Sequence, residues 1–121
     1  MERIPRQLLL TGGGGFLGSE VAKAARARWG EAANLIVPER PADDLRDRAT
    51  CERLVAGCDT VVHLAAHVGG IGYNQANPGT LFYDNAIMGI ELMEAARKAG
   101  VEKFVAISTV CAYPKVLPVP F

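Results

Sequence analysis

The chain has 121 residues, enough for one domain with one core, and half of them are hydrophobic, an ordinary globular composition. Thirteen acidic residues balance thirteen basic ones, so no charge excess points to nucleic acid or to an anionic membrane surface. No apolar run approaches the ~18 residues needed to span a bilayer, and Cys51, Cys58 and Cys111 form no C-x-x-C pair, which fits a reduced, cytoplasmic protein.

After a short lead-in, Leu8, Leu9 and Leu10 run through Thr11 into Gly12-Gly13-Gly14-Gly15-Phe16-Leu17-Gly18. An apolar run feeding a glycine turn and then a helical pattern predicts a buried parallel strand over 7–11 and a helix over 16–29. Gly12, Gly15 and Gly18 read as G-x-x-G-x-x-G, and Gly13, Gly15 and Gly18 also satisfy G-x-G-x-x-G. Either register suits a pyrophosphate. One glycine supplies a positive φ in the turn, a missing side chain admits the phosphates, and the last glycine lets the helix pack close. Free N–H groups and the helix dipole then favour the anion. The rival reading is a glycine turn with no ligand, since the motif alone is weak.

Leu17, Val21, Ala24 and Ala25 are the expected inner face of this helix, with Gly30 just past its end. Residues 34–37 form the next expected strand, ended by Pro38. Asp44-Leu45 reads as a short strand end, and Asp47 as the cap of a helix running to about residue 56. A buried strand follows over 60–65, then a Gly- and Asn-rich loop over 66–79. A long helix over 80–98 shows Phe82, Ala86, Ile90 and Met93 on one stripe. A last strand over 103–108 leads into a Pro-containing tail. The alternation predicts an α/β fold, a Rossmann-type doubly wound parallel sheet with right-handed crossovers, cut off after about five strands.

Taken together, Thr11-Gly12-x-x-Gly15-x-x-Gly18, Asp44-Leu45-x-Asp47, His63-Leu64-Ala65-Ala66, Asn85 and Ser108-Thr109-x-x-x-Tyr113 resemble the extended short-chain dehydrogenase/reductase family of NAD-dependent nucleotide-sugar epimerases and dehydratases. Val68-Gly69-Gly70-Ile71, Asn77-Pro78, Tyr83-Asp84-Asn85 and Val110-Cys111-Ala112-Tyr113-Pro114-Lys115 are similar to the GDP-L-fucose synthase (GDP-4-keto-6-deoxymannose epimerase/reductase) branch. The resemblance covers nearly the whole chain and implies NAD or NADP as cofactor. Gly12, Gly15, Gly18, Phe16 and Leu17 would hold the pyrophosphate. Asp44 and Leu45 would hold the adenine, and Leu64, Ala65 and Ala66 would line the nicotinamide-side ribose. Arg40 is the remaining candidate for a 2′-phosphate contact, beside Glu39. Gly69, Gly70 and Ile71 would border the sugar. Thr109 would polarise the C4 carbonyl, and Cys111 would act as acid/base in epimerisation. The substrate would be a nucleotide sugar, a GDP-sugar in this branch, and the full-length enzyme a homodimer.

Plainer readings stand beside these roles. Asp44 can be a helix-flanking charge, Thr109 an ordinary strand-end residue, Cys111 a small buried apolar residue and Asn85 an exposed polar position. His63 reads as a packed core histidine and His67 as a loop residue near the site. The family's Tyr-x-x-x-Lys occurs nowhere in these residues: Tyr113-Pro114-Lys115 has the wrong spacing. The expectation is an N-terminal NAD(P)-binding domain over 1–121, without the substrate domain or that helix, and inactive by itself. The alternatives are a stand-alone dinucleotide-binding or sensing module and a fragment without function.

Overall fold

The computed structural model describes residues 4–109 and 112–114. Four parallel strands, β1 (Gln7–Thr11), β2 (Asn34–Ile36), β3 (Thr60–His63) and β4 (Lys103–Ala106), form one sheet in the order β2-β1-β3-β4. Between them lie α1 (Phe16–Trp29), α2 (Arg48–Val55), the short α3 (Ile71–Ala76) and α4 (Pro78–Ala99). The predicted Rossmann-type α/β class is thus observed. One expected strand is missing among the described residues. At 44–45 the Asp44 carboxylate accepts the Arg46 backbone N–H at 3.0 Å, and the Asp47 N–H donates to the Asp44 carbonyl. An Asp that bonds the amide two residues on makes a turn, not a strand.

Alternation along the strands sorts the two faces. Leu9, Val61 and Phe104 share a register row and pack with Cys51, Leu54, Val55, Met88, Leu92, Ala95 and Ala96 of α2 and α4. On the opposite face, Leu8, Val62 and Val105 line a groove of about 620 Å³ along α1. Helix α1 buries only Gly18, Ala22 and Ala25, so small residues let it sit close to the sheet. Its inner face differs from the expected one: Leu17 is exposed, Val21 is half-buried, and only Ala25 is common to both.

The helix ends follow local chemistry. The Asp47 carboxylate accepts the Thr50 N–H at 2.8 Å and caps α2 as expected. Pro78 occupies the first turn of α4, where a missing N–H costs nothing, and Gly100 closes it with φ +74°. The loop expected over 66–79 contains α3. The apolar stripe expected on α4 is not its buried face. Leu81, Asp84, Met88, Glu91, Leu92, Ala95 and Ala96 are buried, whereas Phe82 is 79% and Ile90 62% exposed.

Candidate functional site

A cleft of about 790 Å³ opens above the carboxyl ends of β1 and β3. Residues 11–18 form its floor and one wall, with Leu64, Ala65, Ala66 and Val68 opposite, and Val37, Pro38, Glu39, Arg40, Asp43 and Leu45 at one end. Met88 and Ile107 complete the lining. Open α/β sheets bind ligands at this place.

The turn between β1 and α1 leaves no room for a side chain at Gly12 or at Gly18. Gly12 has φ +71°, and a Cβ on it would stand 2.7 Å from the Ala65 backbone nitrogen. A Cβ on Gly18 would run into the Gly12 carbonyl oxygen. A Cβ on Gly14, by contrast, would meet nothing within 4 Å. The Gly15 N–H donates to the Gly12 carbonyl at 3.0 Å and closes the turn. Helix α1 then starts with Gly15 as N-cap, with no side-chain cap bond and no acidic residue in its first turn. Helix geometry leaves first-turn amides without intrahelical acceptors, so this end presents donors and the positive end of the dipole to the cleft. The Phe16 side chain, 95% exposed, stands at the rim.

Thr11 holds the opposite wall in place. Its fully buried hydroxyl accepts the Leu64 and Ala65 N–H groups, each at 3.2 Å, and lies 2.7 Å from His63 Nδ1. A hydroxyl has one proton, so with two N–H groups donating to it, Thr11 donates to His63 Nδ1 and the ring proton sits on Nε2. Burial pushes the His63 pKa below its ordinary value of 6.5, which keeps Nδ1 free to accept. His63 packs near the Phe104 ring, as a core histidine should.

The expected site residues divide on this geometry. Gly12, Gly15, Phe16, Leu17, Gly18, Arg40, Leu45, Leu64, Ala65 and Ala66 all line the cleft. Asp44 is not among the lining residues. Both its carboxylate oxygens bond Arg46, at 2.7 to 3.2 Å, which holds its pKa down to about 2. Asp43 lines the cleft next to it, but its carboxylate accepts the Glu39 N–H and an Arg53 guanidinium N–H. Gly69, Gly70 and Ile71 lie beyond Val68, outside the cleft lining and at the start of α3. Thr109 is exposed and its carbonyl accepts the Ala112 N–H at 3.1 Å; Cys111 lies outside the described residues. Glu39, named beside Arg40 from the sequence, lines the cleft end with it; Met88 and the pinning role of Thr11 were not singled out, although Thr11 directly precedes the glycines. Among the described residues no group of His, Cys, Asp or Glu is placed to hold a metal, and no helix is long and apolar enough to cross a membrane.

Residues 8–121 match the model of the NAD dependent epimerase/dehydratase family. The chain belongs to that family. It is similar to GDP-mannose 3,5-epimerase 1 from Oryza sativa subsp. japonica, at 31% identity over 90% of this chain and 32% of the relative. It is also similar to GDP-L-fucose synthase from Azorhizobium caulinodans, at 34% identity over 95% of this chain and 36% of the relative. The chain therefore spans about a third of the length of the curated relatives it matches. Among solved structures, the UDP-glucose 4-epimerase of Thermus thermophilus, in complex with NAD, superposes with a TM-score of 0.67 at 29% identity, covering 81% of this chain and 36% of that one. The cleft fits the cofactor in the family's name. Side chains are sterically excluded at residues 12 and 18 of the floor, helix-end donors suit phosphates, and Ala65 and Ala66 keep part of the far wall small.

Proposed function

We propose that the chain is the cofactor-binding portion of a cytoplasmic, NAD(P)-dependent nucleotide-sugar epimerase/reductase of the GDP-L-fucose synthase type, acting on a GDP-sugar. The cleft over the β1–α1 turn is the observation that carries this reading. Residues 12, 15 and 18 cradle the pyrophosphate with the first amides of α1, and residues 64–66 flank the nicotinamide-side ribose. The cofactor supplies hydride transfer when bound. Of the chain's own groups, Thr109 polarises the reacting carbonyl, Cys111 exchanges a proton with carbon, and Gly69, Gly70 and Ile71 border the sugar. Leu45 supports the adenine. Asp44 reaches the adenine amine only by sharing its carboxylate with Arg46. The GDP-sugar relatives at 31% and 34% identity support the substrate class. With no Tyr-x-x-x-Lys in these residues, the 121-residue chain binds cofactor without turning it over. A binding or sensing module would use the same cleft in that way.

Calorimetric titration with NAD and NADP tests the reading. Saturable heats are expected for the wild-type chain and loss of them in Gly15→Val; equal heats for the two proteins would remove the pyrophosphate assignment. NAD is expected to bind at least as well as NADP, because Glu39 at the cleft end repels a 2′-phosphate. A tenfold preference amounts to about 1.4 kcal/mol, within reach of one charged contact. An NADP preference abolished by Arg40→Ala would show that Arg40 outweighs Glu39.

The homodimer expected of the full enzyme has a candidate surface in the ridge Phe82, Ile90 and Met93 on α4, all three more than half exposed. Light scattering over a concentration series should show self-association that weakens when all three are replaced by serine. Association unchanged by the triple replacement would place the contact elsewhere, such as the outer strand β4.

A further inference from the structure

Beyond the cleft wall, a chain of polar side chains ties the loop before α3 to α4. Asp84 on α4 is buried, with only 6% of its surface exposed. One carboxylate oxygen lies 3.2 Å from Arg46 Nη1 and the other 2.8 Å from His67 Nδ1. The far ring nitrogen of His67 lies 3.1 Å from the Tyr73 hydroxyl of α3. The hydrogen bond from His67 and the Arg46 guanidinium hold the Asp84 carboxyl below its usual range, so it is ionised and only accepts. His67 Nδ1 must then carry a proton and donate it to Asp84, while Nε2 shares a hydrogen bond with the Tyr73 hydroxyl. The next residue, Asn85, grips the His67 backbone from both sides. Its Oδ1 accepts the His67 N–H at 2.7 Å, and its Nδ2 donates to the His67 carbonyl at 2.8 Å.

The segment held in this way is the one beside the cleft. Val68 lines the cleft, and Gly69 lies so close to the Tyr73 ring that a Cβ on it would collide with that ring. The Asn74 side chain donates to the Gly69 carbonyl at 3.2 Å, and the Asn74 N–H to the Gly70 carbonyl at 3.0 Å. Residues 69–71 are therefore fixed through Tyr73, Tyr73 through His67, and His67 through two consecutive residues of α4, which is anchored in the core. Resting on the sugar-binding reading above, we infer that His67 is a positioning residue: with Asp84 and Tyr73 it latches residues 69–71 at one place beside the cofactor cleft, where they meet the sugar.

The experiment uses the 121-residue chain labelled with nitrogen-15, saturated with NAD and titrated with GDP-mannose as the probe. Long-range nitrogen–proton spectra of the wild type are expected to show His67 with the proton on Nδ1, a signature that Asp84→Asn weakens. In His67→Ala the Asn74 and Asn77 amides should exchange about tenfold faster, the effect of losing one charge-assisted hydrogen bond. GDP-mannose should shift the amides of residues 69–71 in the wild type, with about tenfold weaker binding in His67→Ala, while NAD affinity stays within about twofold. Tyr73→Phe, which keeps the ring against Gly69, guards against simple misfolding and should give the same faster exchange. A wild-type His67 with no proton on Nδ1, or unchanged exchange in both variants, would overturn the latch; an NAD-saturated wild type without GDP-mannose shifts at residues 69–71 would overturn its role at the sugar. Failure of the wild type to bind NAD, with the Nδ1 proton and the exchange changes present, would instead count against the cofactor reading and leave the hydrogen-bonded latch standing without its sugar role.

Discussion

Replacing Gly18 with alanine should destabilise the chain by about 2–3 kcal/mol and weaken dinucleotide binding at least about tenfold. The added methyl would overlap the Gly12 carbonyl oxygen, which is backbone and has no rotamer to yield. Relief requires α1 to back away from the turn, and that movement takes the helix-end amides with it. Thermal unfolding should drop by about 4 °C for each kcal/mol lost in a chain of this size. Gly14→Ala is the matched control, because its Cβ enters open space; it should stay within about 0.5 kcal/mol of wild type. Equal melting temperatures for the two variants would mean that the close approach of helix and turn contributes nothing to the fold.

Thr11→Val should cost about 2–4 kcal/mol, although it changes the shape of the side chain very little. The Leu64 N–H keeps a second acceptor in the Thr11 carbonyl at 3.2 Å. The Ala65 N–H and His63 Nδ1 lose their shared partner inside the protein. Thr11→Ser, which restores the hydroxyl, should recover most of the loss in urea unfolding. The same pin gives a pH dependence. Because the folded His63 binds its proton more weakly than the unfolded one, stability is full above about pH 6.5 and falls as pH drops through the folded value. Carboxylates titrate below this window, so His63→Asn should flatten it. A Thr11→Val chain as stable as wild type would show that residues 64–66 are held by other contacts.

The sequence was most informative where backbone geometry dictates residue type. The glycines at 12 and 18 are required by a positive φ and by steric exclusion, so pattern and structure coincide there. The same holds for the Asp47 cap of α2. Helix α4 misled because hydropathy assigns acids to solvent and aromatics to the core. Here Glu91 is buried against a bidentate Arg48, with bonds of 2.7 and 3.0 Å, and Asp84 against Arg46 and His67. These partners come from distant residues, which local periodicity does not register. Phe82, Ile90 and Met93 are left outside by the same rotation of the helix. Helix α3 was hidden by its composition, since Gly72, Asn74 and Asn77 read as loop; side-chain bonds from Asn74 and Asn77 to nearby carbonyls accompany that single turn and a half. Asn85, weighed as an exposed polar position, is half-buried and bonds three times, to His67 at both backbone groups and to the Leu81 carbonyl.

The central claim is that a dinucleotide lies in the cleft between the β1–α1 turn and the end of β3. Two-dimensional amide spectra of the labelled chain, recorded through an NAD titration, test it directly. The account predicts saturable shifts concentrated on residues 13–18 and 64–66, with smaller ones at residues 37–40. No shifts at millimolar NAD, or shifts centred on the opposite groove lined by Trp29, Lys103 and Val105, would contradict it.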